Sequence, residues 1–214
     1  MISPDGYKNI FISIVIFFLF LILIYFFPII IFKILTALIG ILVLFNIYFH
    51  RDPEREIPQG ENLLVSPADG KIVKIDEVYE PFYFKSNVTC ISIFLSIFDV
   101  HVNRIPMSGK IDFLKYNNGK FLVAYNDKAS QDNEQSIIGI RKGERRILFK
   151  QIAGIIARRI IYHLSMNDSV RVGERFGLIR YGSRVDIFFS GNVEIKVNLN
   201  DHVYGGKTII AEFK

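Results

Sequence analysis

Two kinds of hydrophobic pattern divide this chain. From Ile10 to Phe32 (IFISIVIFFLFLILIYFFPIIIF) no residue carries charge, and the run is long enough to cross a hydrocarbon core of about 30 Å. After Lys33 a second run, Ile34 to Phe49, contains Thr36 and Asn46 and is near the lower length limit for a span. Together they predict an α-helical membrane hairpin over residues 1–50. A secretory signal is the competing reading, but the apolar stretch is too long for one and no small-residue cleavage site follows. Lys8 before the pair and Arg51 and Arg55 after it put both ends on the cytoplasmic side by the positive-inside tendency. Lys33 near the tip can snorkel outward. The expected location is the cytoplasmic face of the cell (inner) membrane.

Beyond the hairpin the pattern changes to short alternating runs. HRDPEREIPQGEN, His50 to Asn62, is charged and carries two prolines, the composition of a linker into a folded domain. LLVSPADGKIVKIDEV then places a turn at Ala68-Asp69-Gly70 between β-branched runs, and VTCISIFLSIF alternates up to a polar stop at Asp99. RRILFKQIAG and RVDIFFSG continue the strand pattern, whereas GIIARRIIYHL, Gly154 to Leu164, fits a short helix or a strand equally. DSVRVGERFGLI (Asp168 to Ile179) and DHVYGGKTIIAE (Asp201 to Glu212) share Asp-x-Val-x-x-Gly and read as two hairpins entering a compact β structure. The fold class expected for residues 51–214 is mainly β, a barrel-sandwich-like domain with little helix outside the membrane.

Composition narrows the function classes. Half of the 214 residues are hydrophobic and 20 are Phe, which excludes a disordered chain. A formal net charge of +5 suits work against anionic lipid, although the same excess occurs on ordinary solvated surfaces. No zinc-finger, helix-turn-helix or RNP-like signature accompanies it, so nucleic acid is not an expected partner. The single cysteine, Cys90, can make no intrachain disulfide and reads as a buried small hydrophobe. No metal is expected, because four His and one Cys are scattered without ligand spacing.

Three polar clusters interrupt the strands: SPADG (Ser66 to Gly70), FDVHVNRIP (Phe98 to Pro106) and YGSR (Tyr181 to Arg184). They contribute Asp69, His101 and Ser183, the residue types of a charge relay. Each also has a plainer reading. Asp69 before Gly70 is a normal turn residue, His101 can be a packing residue, and Gly182-Ser183 is by itself an ordinary turn. A serine hydrolase fits poorly, because Tyr181 and Val185 stand where a G-x-S-x-G elbow has glycines and a strand follows the serine. A biotinyl-like or lipid-binding module on a membrane hairpin is the non-enzyme alternative, but neither hairpin carries the Met-Lys-Met type of turn.

The clusters taken together resemble the phosphatidylserine decarboxylases of the shorter bacterial and archaeal type. The resemblance runs from about Tyr48 to Phe213 through YFHRDPER, VSPADGKI, SIFLSIFDVHVNRIP, GKFLVAYNDKAS with Asn133 and Glu134, QIAGIIARRI and RFGLIRYGSRVDIF. It implies a proenzyme that breaks its own Gly182-Ser183 bond, giving a beta chain 1–182 and an alpha chain 183–214 that remain together. Ser183 would become a covalent pyruvoyl group, the only cofactor, which forms a Schiff base with phosphatidylserine and releases CO2 to leave phosphatidylethanolamine. Membrane lipid is then the surrounding partner, and a higher oligomer is compatible.

The resemblance also assigns Asp69 and His101 to proton transfer beside Ser183. The longer members have two histidines in a DxHxxHxP pattern, whereas here Arg104 occupies the second position. This leaves open whether His101 serves both maturation and turnover or Asp99 shares the first task. Arg104, Lys128, Arg158 and Arg159 are the cations expected for the headgroup phosphate and carboxylate, each equally readable as a surface or structural charge.

Overall fold

In the computed structural model, residues 1–119, 133–154, 159–180 and 182–214 are described. Two compact units divide the chain, Met1–Glu54 and Arg55–Lys214.

The first unit is a pair of helices, α1 (Tyr7–Phe26) and α2 (Ile30–Phe49). Both are long and apolar enough to cross a membrane. The first apolar run was expected to continue to Phe32, but α1 stops at Phe26 because Pro28 follows. A proline disfavours the helical conformation in the residue before it and cannot donate into the preceding turn. Lys33 therefore sits in the first turn of α2 rather than between the helices. Thr36 Oγ1 donates to the Phe32 carbonyl within α2 at 2.8 Å, and just past its end His50 Nδ1 donates to the Asn46 backbone carbonyl at 2.9 Å. The ends are tied by Ser3 N–H to the His50 carbonyl and Asp52 N–H to the Met1 carbonyl, both 2.8 Å.

The second unit is built from antiparallel strands, as the alternating runs predict. The order is β1 (Leu63–Val65), β2 (Gly70–Glu80), β3 (Ser86–Leu95), β4 (Val102–Arg104), β5 (Gly109–Asn117), β6 (Gln135–Lys142) and β7 (Arg145–Ala153). Then follow β8 (Ile160–Tyr162), β9 (Ser169–Val170), β10 (Arg175–Ile179), β11 (Ser183–Phe189), β12 (Val193–Ile195), β13 (His202–Val203) and β14 (Ile209–Phe213). A curled eight-stranded sheet in the order β13-β2-β3-β11-β7-β6-β5-β9 is accompanied by two three-stranded sheets, β1-β14-β12 and β4-β10-β8. The fold class read from the sequence is the one observed. The segment that fitted helix or strand contains β8 in its described part; residues 155–158 lie outside the described residues.

β11 is the centre of the large sheet. It pairs with β3 on one side and β7 on the other, and all seven of its residues are buried. Alternation sends Val185, Ile187 and Phe189 into the main core with Ile91, Ile93, Phe149 and Phe176. Arg184, Asp186 and Phe188 project to the other face. There Arg184 Nε and Nη2 donate to the two Asp186 oxygens at 2.6 and 3.2 Å, and Nη2 also reaches Ser92 Oγ at 2.9 Å.

The two segments that share Asp-x-Val-x-x-Gly are not the hairpins the repeat suggested: β9 and β13 join the large sheet, whereas β10 and β14 join the two small ones, so the strands of each segment pair elsewhere. Their turns are nevertheless equivalent. Asn167 and Asn200, each just before the shared Asp, take positive φ of 73° and 75°. The carboxylates of Asp168 and Asp201 each accept the backbone N–H three residues earlier, from Ser165 and Asn198, at 2.7 Å. Ile111 N–H donates to the Asp168 carbonyl and Asn167 N–H to the Ile111 carbonyl; Ile72 repeats both bonds with Asp201 and Asn200. Two copies of one turn thus lead into opposite edges of the large sheet, β9 on β5 and β13 on β2.

Candidate active site

Ser183 opens β11 opposite Leu95 of β3 and Ala153 of β7. It is fully buried, and its Oγ makes no hydrogen bond among the described residues. A buried hydroxyl without a partner is costly, so this serine contributes nothing to stability through its hydroxyl. Gly182 before it has φ of +69°, a left-handed conformation that glycine reaches without steric cost. A Cβ there would meet only Ile97 Cγ2, at 3.9 Å, so backbone conformation rather than space favours glycine.

His101 comes to this bond from the start of β4. Its Nδ1–H donates to the Asp99 carbonyl at 2.9 Å, which leaves Nε2 as the acceptor nitrogen. Nε2 accepts the Gly182 backbone N–H at 3.4 Å. The neutral imidazole therefore rests its Nε2 lone pair on the amide of Gly182, one peptide unit before the bond to Ser183. Both the ring and the hydroxyl are fully buried, so bulk water does not compete for the proton.

Asp69 lies in the turn between β1 and β2, and its carboxylate is held by other groups than the relay reading expects. Oδ1 accepts the Gly205 N–H and Oδ2 accepts Arg55 Nη2, both at 2.7 Å. Burial pushes this carboxyl above its ordinary value of 3.8, and Gly205 and Arg55 pull it back toward ionisation. Asp99 is held similarly: Oδ2 accepts the Ser96 N–H at 2.7 Å, and Oδ1 lies 3.1 Å from His202 Nε2. His202 packs on Tyr204 with ring centroids 5.2 Å apart, and the Arg55 guanidinium lies over the Tyr204 ring. Asp69 and the His101 loop are thus joined through residues 202–205, not by a direct bond between the two side chains.

The expected headgroup cations are placed as follows. Arg104 is buried and Nη1 donates to the Gly173 carbonyl at 3.1 Å, a contact that gives it a structural task. Arg159 is exposed, and its carbonyl accepts the Arg180 N–H at 3.2 Å. Lys128, Arg158 and Tyr181 lie outside the described residues.

Residues given no site role from the sequence complete the surroundings. Arg55 stands in the segment read as a linker, where it counted only as a flanking charge and as part of a motif. His202 stands in a segment legible only as a repeat. Asn133 Nδ2 donates to the Ala153 carbonyl at 2.7 Å, directly beside Ser183 in the ladder. A cleft of ≈ 480 Å³ lined by Lys74, Phe82, Cys90, Lys150, Arg184 and Phe188 opens on the opposite face of the sheet from Ser183, because Arg184 is the next residue and points the other way.

Known proteins resemble this chain over most of its length. The family model described as phosphatidylserine decarboxylase matches residues 42–211. A Cytophaga hutchinsonii protein named phosphatidylserine decarboxylase proenzyme is 44% identical over 216 residues, covering 99% of this chain and 98% of that one. Proteins of the same name from Amoebophilus asiaticus and from the Wolbachia of Brugia malayi are 46% and 49% identical. Those alignments cover 84% and 77% of this chain, and 82% and 74% of the relatives.

Proposed function

Because the chain belongs to the phosphatidylserine decarboxylase family, we propose that it converts phosphatidylserine to phosphatidylethanolamine and CO2 through a pyruvoyl group made from Ser183. The group would arise when the chain breaks its own Gly182–Ser183 bond, in keeping with the proenzyme naming of the relatives. The observation that carries this reading is the buried, unbonded Ser183 hydroxyl beside a left-handed Gly182 whose N–H rests on His101 Nε2.

The chemistry of the precursor follows from those residues. His101 Nε2 accepts the Ser183 Oγ proton, and Oγ adds to the Gly182 carbonyl carbon. The amide C–N bond then breaks, leaving an ester and the free Ser183 amine. Loss of the Cα proton and cleavage of Cβ–Oγ release residues 1–182 with Gly182 as a carboxylate. Hydrolysis of the remaining enamine, with loss of ammonia, leaves a pyruvoyl end on residues 183–214. The pyruvoyl group supplies a ketone that condenses with the substrate amine and an amide carbonyl that accepts the electron pair left by departing CO2.

The cleavage changes what His101 does. Gly182 becomes a chain end and no longer constrains Nε2, which is then available to move a proton at the pyruvoyl position. The carbonyl of Asp99 continues to hold Nδ1 and so keeps the same tautomer. The smaller fragment stays in place because β11 lies between β3 and β7, and Gly205 and His202 hold Asp69 and Asp99 of the larger one.

The two apolar helices suit a substrate that never leaves the bilayer. On this reading they hold the protein at the cytoplasmic face, since Lys8, Arg51 and Arg55 flank them. The test is an intact-mass spectrum and a denaturing gel of the detergent-extracted protein, with phosphatidylserine turnover measured in the same sample. Fragments 1–182 and 183–214, a hydroxylamine-reactive end on the shorter one, and release of CO2 are expected. An active preparation with an unbroken chain rejects the pyruvoyl mechanism.

A further inference from the structure

Ser183 Oγ and Asn103 Nδ2 are both buried and have no hydrogen-bond partner among the described residues. Asn103 is fully buried in β4. Its Oδ1 accepts from Gln151 Nε2 at 2.7 Å, and Gln151 Oε1 accepts from Ser136 Oγ at 2.7 Å. This relay turns the Asn103 amide so that its NH2 points away from Gln151. A buried amide N–H left without an acceptor is destabilising, because its hydration is lost with nothing in exchange. An acceptor that forms only during the reaction accounts for such a donor.

The ladder places that donor near Ser183. Gln151 and Ala153 of β7 lie directly opposite Val185 and Ser183 of β11, and directly opposed residues of an antiparallel pair share one face. His101, two residues before Asn103, meets Gly182, while Asn103 meets Gln151, opposite Val185. Ser183 lies between these two anchor points. Ala153, across from Ser183, fills its place with a methyl group only.

We propose that Asn103 is a further catalytic residue of maturation, whose side-chain N–H donates to the Ser183 oxygen as negative charge develops on it. The proposal rests on the self-cleavage reading above. In the first step Oγ loses its proton to His101 while the Oγ–C bond to Gly182 forms and the C–N bond breaks, the proton ending on the Ser183 amine. In the second the Cα proton leaves, Cβ–Oγ breaks, and the electron pair stays on the same oxygen, now part of the Gly182 carboxylate. One donor fixed on that atom serves both steps. His101 supplies the proton acceptor and Asn103 the anion stabiliser, from one short strand.

The test uses the full chain synthesised by cell-free translation into detergent micelles, with conversion to two fragments followed on gels at several pH values. Asn103→Ala is expected to slow cleavage about 10²-fold while a cooperative unfolding transition is kept, its midpoint lowered because Gln151 Nε2 loses its acceptor. Asn103→Asp keeps the shape and the acceptor toward Gln151 but, when ionised, has no donor. Its deficit relative to the parent is expected to narrow as pH falls, because the protonated acid offers an O–H in place of the N–H. The Asn103→Ala deficit does not narrow. Cleavage of Asn103→Ala at the parental rate, or deficits of the two variants that move together with pH, overturns the role of Asn103. If Asn103→Ala loses its unfolding transition, the pH course of the near-isosteric Asn103→Asp decides. A parental chain that never cleaves refutes the self-cleavage reading itself, which is a different result.

Discussion

His101 Nε2 accepts the backbone N–H of Gly182 at 3.4 Å, so the imidazole is held one peptide unit before the bond it is proposed to act on. The other ring nitrogen is anchored on the Asp99 carbonyl, which fixes the ring orientation as well as the tautomer. His101→Ala removes both contacts. General acid–base help is worth about 10²- to 10⁴-fold in rate, and a loss of that size is expected in cleavage, in turnover of phosphatidylserine, or in both, with the unfolding transition retained. Cleavage timed on gels and product phosphatidylethanolamine counted by mass spectrometry separate the two. Parental rates in both assays would leave His101 with a packing role.

Gly182 should tolerate substitution in the order of left-handed propensity rather than of size. Its Cβ position is open apart from Ile97, while φ of +69° costs an ordinary L-residue about 1–2 kcal/mol. Asn reaches this region more readily than Ala, and β-branched residues least of all. The expected order of cleavage rate is Gly182, then Gly182→Asn, Gly182→Ala and Gly182→Val. Equal rates for the last two would show that the left-handed conformation is not required at the cut.

Lys150 gives a pH dependence of stability with a definite sign. Burial holds its ammonium below the ordinary 10.5, opposed by Glu80, whose carboxylate lies 4.0 Å away. The unfolded chain therefore binds more protons than the folded one in the window between the depressed value and 10.5. Stability from this group rises with pH through that window. Lys150→Met removes the effect, so the unfolding-midpoint difference between Lys150→Met and the parent should shift in the parent's favour from pH 8 to pH 10. A difference that stays constant or moves the other way contradicts the assignment.

Cys90 should behave as an inert core residue. It is buried in β3, and burial pushes its thiol up to about 12, so the reactive thiolate is scarce at pH 8. Iodoacetamide is expected to label it about 100-fold more slowly in the native protein than in urea, read by peptide mass spectrometry. Rapid native labelling would mean that the β2–β3 hairpin opens readily.

The parts of this structure that the sequence disclosed are those with local causes. Strand alternation marked β3, β7 and β11, and the shared Asp-x-Val-x-x-Gly marked two segments whose Asp turns share their bonds, although their strands join different sheets instead of pairing as hairpins. The first apolar run was read too long because hydropathy passes smoothly over Pro28, while backbone geometry does not. The partners of the candidate site were hidden because they are tertiary. Arg55 reaches Asp69 across 14 positions and Gly205 reaches it across 136, and neither residue type announces such a bond. Asn103 was quoted within its motif, but only the fold reveals that one side of its amide is engaged and the other is not.

The position of Ser183 at the head of the central strand has a consequence for the life history of the molecule. The strands from Ser183 onward are interleaved with the rest: β11 sits between β3 and β7, β14 on β1, and β13 on β2. In an unbroken chain these pairings form at the high effective concentration that a covalent connection provides. If the proposed cut is made, denaturation turns the same assembly into an encounter between two molecules, one of them only a 32-residue segment from Ser183 to Lys214. Recovery of the fold would then depend on the concentration of both pieces, a dependence the unbroken chain does not have.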